Sequence, residues 1–167
     1  TPARWIVFQG KAVPKPGETA NPHYSMYIAK LRRDAAGRLT GIEEPVMVSR
    51  AGSANTCGWF DPAHEGNLLF ASTITSPSEE SQPGYQRGSG SYRWEFPREM
   101  KVVTRVPMLL LQDMRPQFET RDLPADVFQE IVQVSDDQYV AECSFSPDGR
   151  FILYTKMVDP AKRELHI

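Results

Sequence analysis

Three histidines and two cysteines are the side chains in this 167-residue chain best suited to metal or nucleophilic chemistry. Their spacing decides whether that chemistry is available. His23, His64 and His166 lie far apart, and no cluster of Asp or Glu frames them, so no metal site is expected from them. His64-Glu65 lacks the second histidine of a zinc-protease helix and falls in a turn-like stretch. Cys57 and Cys143 show neither a Cys-x-x-Cys nor a Cys/His spacing for zinc, and two cysteines are too few for a disulfide framework. Asp136-Asp137 has no further oxygen ligands at calcium spacing. The Gly-Ser-Gly-Ser run at 88–91 follows a polar loop rather than a strand and carries no Lys-Ser/Thr, so it is not a phosphate loop. No Gly-x-Ser-x-Gly nucleophile elbow occurs. The sequence therefore points to no catalytic residues, no cofactor and no metal, and the expected class is a non-enzymatic one.

Charge and hydropathy narrow the partners further. Lys plus Arg number 19 against 21 for Asp plus Glu, giving a net charge of −2 and no basic footprint for nucleic acid or an anionic membrane. The longest apolar stretch, VPMLLL at 106–111, is far short of the ~18 residues of a transmembrane helix. The opening TPARWIVFQG has no basic start, apolar middle and small-residue cleavage site. The chain is therefore expected to be already processed or cut from something longer, rather than simply cytoplasmic.

The elements that must position these side chains read as strands. Short runs rich in β-branched and aromatic residues recur at RWIVFQG (4–10), HYSMYIAKL (23–31), PVMVSR (45–50), NLLFAST (67–73), SYRWEF (91–96), MKVVTRV (100–106), DVFQEIVQV (126–134) and RFILYTKM (150–157). Most of the 14 prolines and 11 glycines fall between them, in KAVPKPGETANP, DAAGRLTG, DPAHEG, SPDG and MVDP. An all-β fold is expected. A short helix over roughly 122–133 competes, supported by an Asp cap, a first-turn proline and the spacing of Leu123, Val127, Phe128 and Ile131. Residues 75–90, TSPSEESQPGYQRGSG, are Ser/Gly/Pro-rich and should form a long exposed loop within one hairpin.

Two passages match each other. ANTCGWFDPAHEGNLLFAST (54–73) and AECSFSPDGRFILYT (141–155) share an aromatic two residues before a proline, a polar turn and a hydrophobic strand. The match pairs Phe60 with Phe145, Pro62 with Pro147 and Phe70 with Tyr154. The turn has a physical logic of its own: proline fixes the first corner, Asp bonds back to the backbone and Gly supplies a positive φ.

SFSPDGRFILYT, followed by RELHI at 163–167, resembles the repeat of TolB-type, WD40-like β-propellers. The resemblance implies blades of four-stranded antiparallel sheets in an incomplete arc of about two and a half blades. Residues 1–50 would form a blade lacking its first strand, 51–106 a second blade, 107–138 an insertion or linker, and 139–167 the start of a third. In that register SYRWEF is a third strand and MKVVTRV a possible fourth. Propellers usually close with four to eight blades, so a longer chain or other polypeptides are expected to complete the arc.

The resemblance also places Cys57 and Cys143 on first strands of adjacent blades. A disulfide between them is possible if their α-carbons come within about 7 Å; buried free thiols are the alternative. Trp59, Tyr85, Tyr92, Trp94 and Phe96 make the middle blade aromatic, either as packing between blades or as an interaction surface. The function implied is a protein-protein interaction or scaffold module, periplasmic or extracellular, with a protein partner and no nucleic acid. Two alternatives remain: a regulatory propeller segment of a prolyl-oligopeptidase-type serine peptidase whose catalytic domain is absent here, and an accessory subunit associated with a membrane complex.

Overall fold

The computed structural model describes residues 4–64, 67–78, 84–86, 88–93, 96–105, 128–131, 139–159 and 162–166. These residues are all-β. The strands are β1 (Trp5–Gly10), β2 (Ser25–Arg33), β3 (Leu39–Ile42), β4 (Val46–Met47), β5 (Asn55–Phe60), β6 (Leu68–Ser72), β7 (Gly84–Gln86), β8 (Ser91–Arg93), β9 (Lys101–Arg105), β10 (Phe128–Glu130), β11 (Val140–Phe145), β12 (Ile152–Asp159) and β13 (Lys162–His166).

They form three open antiparallel sheets and one separate hairpin. In the first sheet β2 is central, paired with β1 on one side and with both β3 and β4 on the other. The second sheet runs β5-β6-β9-β10, the third β11-β12-β13, and among the described strands β7 pairs only with β8.

The sheets stack in chain order, and alternation along each strand explains how. On β6, Leu68 and Phe70 point to one face and meet Met26, Ile28 and Val48 of the first sheet, with Trp5, Val7, Val46 and Phe60 around them. Leu69 points the other way and packs with Val102, Val140 and Cys143, flanked by Phe145, Ile152 and Tyr154 of the third sheet. A second cluster beside it joins Ala54, Ala71 and Met100 to Tyr139, Ala141 and Met157. Because β6 is covered on both sides, its five residues are all buried, which is why it reads as a continuous apolar run rather than an alternating one.

The passages matched in sequence fold alike. Phe60 pairs with Leu68 as Phe145 pairs with Ile152. The Asp61 amide donates to the Asn67 carbonyl at 3.0 Å, as Ser146 donates to Phe151 at 2.9 Å. At the other end the Thr73 amide donates to Ala54 and the Met157 amide to Tyr139, both at 3.0 Å. Both hairpins carry the same irregularity: the register shifts between Thr56 and Trp59 and between Ala141 and Ser144. Each shift holds one residue with positive φ, Cys57 at 53° and Glu142 at 54°. Each is thus a β-bulge, an extra residue that bends its strand.

β1 belongs to the same series. Ile6-Val7-Phe8, Leu68-Leu69-Phe70 and Ile152-Leu153-Tyr154 occupy corresponding strands, since β1 pairs forward with β2 as β6 pairs with β9 and β12 with β13.

Two elements depart from the sequence reading, and at a third one of its two alternatives holds. DAAGRLTG is not wholly a turn: Asp34 accepts from the Ala36 and Arg38 amides at 3.0 and 2.9 Å, Gly37 takes φ 78°, and the tight reversal leaves Leu39–Ile42 free to pair as β3. SYRWEF does not supply the third strand of the second sheet; its first residues pair locally as β8, and β9 lies directly against β6. At the third, the strand-like run at 126–134 prevails over the competing helix at 122–133: Phe128–Glu130, within the stretch 107–138, is a strand on the edge of the second sheet. Residues 106–127 and 132–138, with Asp136-Asp137, lie outside the described residues.

Candidate functional site

The two bulges come together where the second and third sheets meet. The Cys143 thiol donates to the Cys57 carbonyl at 3.6 Å, linking residues 86 positions apart. Around the first bulge, the Cys57 amide donates to Gln9 Oε1 at 3.2 Å and the Cys57 sulfur lies 3.3 Å from Thr56 Oγ1. At the second, Thr155 Oγ1 donates to Glu142 Oε2 at 3.2 Å. Cys57, Gln9, Glu142 and Thr155 therefore form a short polar seam that crosses all three sheets.

Both cysteines are free thiols. The bulges are in register but the cysteines are not: Cys57 occupies the positive-φ position of its bulge, and Cys143 the position after, where the second sheet has Gly58. The Cys143 sulfur meets a backbone oxygen instead of the other sulfur. Burial pushes the Cys143 thiol far up from its ordinary value, with Cys57 nearby adding to the shift. Burial also raises Cys57, a shift that the Thr56 hydroxyl opposes and the Glu142 carboxylate reinforces. Neither sulfur is a thiolate at neutral pH, so this seam holds no activated nucleophile.

Gly58 has its own geometric reason. A β-carbon there would stand 2.6 Å from both Met26 Sδ and Val7 Cγ2. The glycine lets the first sheet approach the bulge closely, whereas Cys143 fills the matching place at the next junction.

Of the five aromatic residues read either as packing between blades or as a surface, two have described side chains. Trp59 follows the first bulge and is 46% exposed. Phe96 is half-buried, its ring edge-on to Tyr139 at 5.9 Å between the second and third sheets. It is thus an inter-sheet packing residue rather than part of an exposed patch, because the chain before β9 carries it against the third sheet. Tyr85 and Tyr92 face each other across the β7–β8 ladder; their side chains, and all of Trp94, lie outside the described residues.

Of the three histidines, His23 and His64 have described side chains. His64 Nδ1 is 3.0 Å from Asp61 Oδ2 in the first turn, and Asp61 also accepts from the Ala63 and His64 amides. Partial burial pushes the Asp61 carboxyl up, but those amides and the His64 ring outweigh it and hold the group below its ordinary value. His23 is buried, its amide donating to Asn21 Oδ1 at 3.0 Å. Among the described residues no group of His, Cys, Asp and Glu could hold a metal ion, and no helix is long and apolar enough to cross a membrane.

Sequence reasoning missed Asn55, which joins the first and second sheets. Its amide nitrogen donates to the Tyr24 and Ser53 carbonyls at 2.9 and 3.0 Å, and its backbone N–H reaches Tyr24 as well. Ser49 accepts from the Met26 amide at 3.0 Å nearby. Asn at the start of a strand, followed by a bulge without glycine in the αL position, gives no signal that distinguishes it from a turn residue.

No family model, curated protein or solved structure matches this chain.

Proposed function

We propose that this chain is a non-enzymatic protein-interaction module, built as an open arc of TolB-like propeller blades and working outside the cytoplasm. The observation that carries the reading is the repeated hairpin: β5–β6 and β11–β12 share turn hydrogen bonds, bulge position and aromatic placement, and each turns the same face toward the sheet before it. Stacked repeats of one supersecondary unit are how propeller blades and other repeat folds bury their cores. The Ser-Pro-Asp-Gly turn at 146–149 supports the TolB-like register, with Ser146 Oγ bonded to Asp148 at 2.6 Å and to the Phe151 amide at 3.0 Å.

The seam of neutral thiols and hydrogen-bonded polar groups is suited to holding sheets together, and Trp59 supplies an exposed aromatic of the kind that anchors protein contacts. The extracytoplasmic placement rests on the TolB-like resemblance.

A photo-crosslinking phenylalanine at position 59, introduced in the native host, tests the reading. A covalent adduct with another polypeptide in the envelope fraction is expected; a chain that yields no adduct on irradiation overturns it.

A further inference from the structure

The connection between β1 and β2 is longer than its hairpin needs. The ladder closes with Gly10 opposite Ser25, which leaves residues 11–24 as the loop, whereas Asp34–Arg38 is enough to reverse the chain from β2 to β3. Hairpin loops ordinarily take about two to five residues, and longer ones without secondary structure of their own tend to carry function. Lys11–Ala20 are exposed throughout. Val13, at 91%, is the most exposed large apolar side chain among the described residues.

Its sequence makes this exposed loop stiff. Pro14 and Pro16 fix φ at about −65°, and the proline that follows each of them holds Val13 and Lys15 in the extended region. Val13–Pro16 therefore follow a polyproline II path of about three residues per turn, which sets Val13 and Pro16 on one ridge and Lys15 on the next. A type II turn ends that path. The Glu18 amide donates to the Lys15 carbonyl at 2.9 Å, Pro16 and Gly17 form the corners, and Gly17 takes the φ of 87° that the second corner requires. Glu18 Oε2 accepts from the Lys15 amide at 3.2 Å. At the base of the loop Lys11 donates to the Pro22 carbonyl and lies over the Tyr24 ring, 5.1 Å from its centroid.

We propose that Val13–Pro16 is a ligand segment for a second protein, one that presents a groove lined by aromatic rings with a carboxylate beside it. A segment already held in the polyproline II form gives up little conformational entropy when it docks. Val13 and Pro16 supply the apolar ridge that such a groove takes, and Lys15 supplies the charge that the carboxylate meets. This rests on reading the chain as an interaction module and names the chemistry of one partner, bound through residues other than Trp59.

Nuclear magnetic resonance on the isotope-labelled 167-residue chain tests it. In the free protein, backbone order parameters of Val13 and Lys15 near those of rigid strands, about 0.85, are expected, and values below about 0.6 overturn the pre-organised segment. The chain is then titrated with a panel of purified domains whose aromatic grooves take proline-rich segments, the SH3, WW and EVH1 types. Shifts confined to the amides of Ala12–Glu18 are expected with at least one of them. Val13→Ser, which removes the apolar contact, should weaken that binding roughly tenfold, and the double variant Pro14→Ala, Pro16→Ala, which frees the backbone, roughly fivefold or more. All three positions are exposed, and circular dichroism reports that each variant is folded. The proposal is overturned by a panel that leaves these amides unmoved, or by variants that bind like the parent. An adduct at position 59 without groove binding removes the loop's role and keeps the interaction reading, whereas loss of both results removes both.

Discussion

The second sheet and the first are assembled from the same strand pattern, yet one is buried on both faces and the other on one. At Leu68-Leu69-Phe70 neither direction leads to water, whereas at Ile6-Val7-Phe8 only Val7 points into a core. Equal residue types at equal register positions therefore carry unequal energetic weight. What differs is the neighbour: among the described residues the first sheet lies on one side of the second and the third sheet on the other, whereas the first sheet packs against the second alone.

Truncating the matched aromatics should expose that difference most strongly. Phe70→Ala removes a fully buried ring and is expected to destabilise the fold by about 3–5 kcal/mol. Phe8→Ala loses a half-buried ring and its stacking on Tyr27, about 1–2 kcal/mol. Denaturant titration of both variants checks this, and equal losses would show that the first face is covered as fully as the second.

The junction between those two sheets is tight at Gly58. Gly58→Ala places a methyl group against Val7 and Met26, and Val7 has no flexible end with which to yield. A loss of about 1–3 kcal/mol is expected, while Gly88→Ala, which meets open space, serves as the control within about 0.5 kcal/mol.

At the junction with the third sheet, Cys143 makes stability depend on alkaline pH. Burial holds its folded-state pKa above the unfolded value of about 8.5. Below that pH the thiol is neutral in both states and its contribution is complete. As pH rises further the unfolded chain ionises first, so stability falls by up to about 1.4 kcal/mol per pH unit until the folded thiol also titrates. Cys143→Ala should remove that part of the slope, read as the difference between the two proteins in thermal melts from pH 8 to 10.

The sequence was most informative where chemistry and geometry coincide. The polar turns at 61–67 and 146–151 could be read because Asp61, Ser146, Pro147, Asp148 and Gly149 have conformational preferences that specify a reversal, and their matched aromatics then follow at fixed register. The bulges could not be read. Positive φ usually announces itself through glycine, but here Cys57 and Glu142 adopt it because the surrounding sheets and hydrogen bonds to Gln9 and Thr155 hold them there. The strand at Leu39–Ile42 was hidden for the opposite reason: two glycines and a threonine in Gly37–Gly41 look like turn, although only Asp34–Arg38 forms the reversal. The thiols could be placed on adjacent sheets, but not whether their sulfurs meet, because that depends on a one-residue offset between two bulges.

Backbone hydrogen exchange, resolved by residue in dilute protein, tests most directly whether β1 is the edge strand of a sheet that otherwise repeats the second. β6 lies between β5 and β9, while β1 is paired only with β2 among the described strands. The expected result is uniformly slow exchange along Leu68–Ser72 and an alternation of slow and fast amides along Trp5–Gly10, as an edge strand leaves every second N–H to water. Amides of β1 as slow throughout as those of β6 would contradict this account.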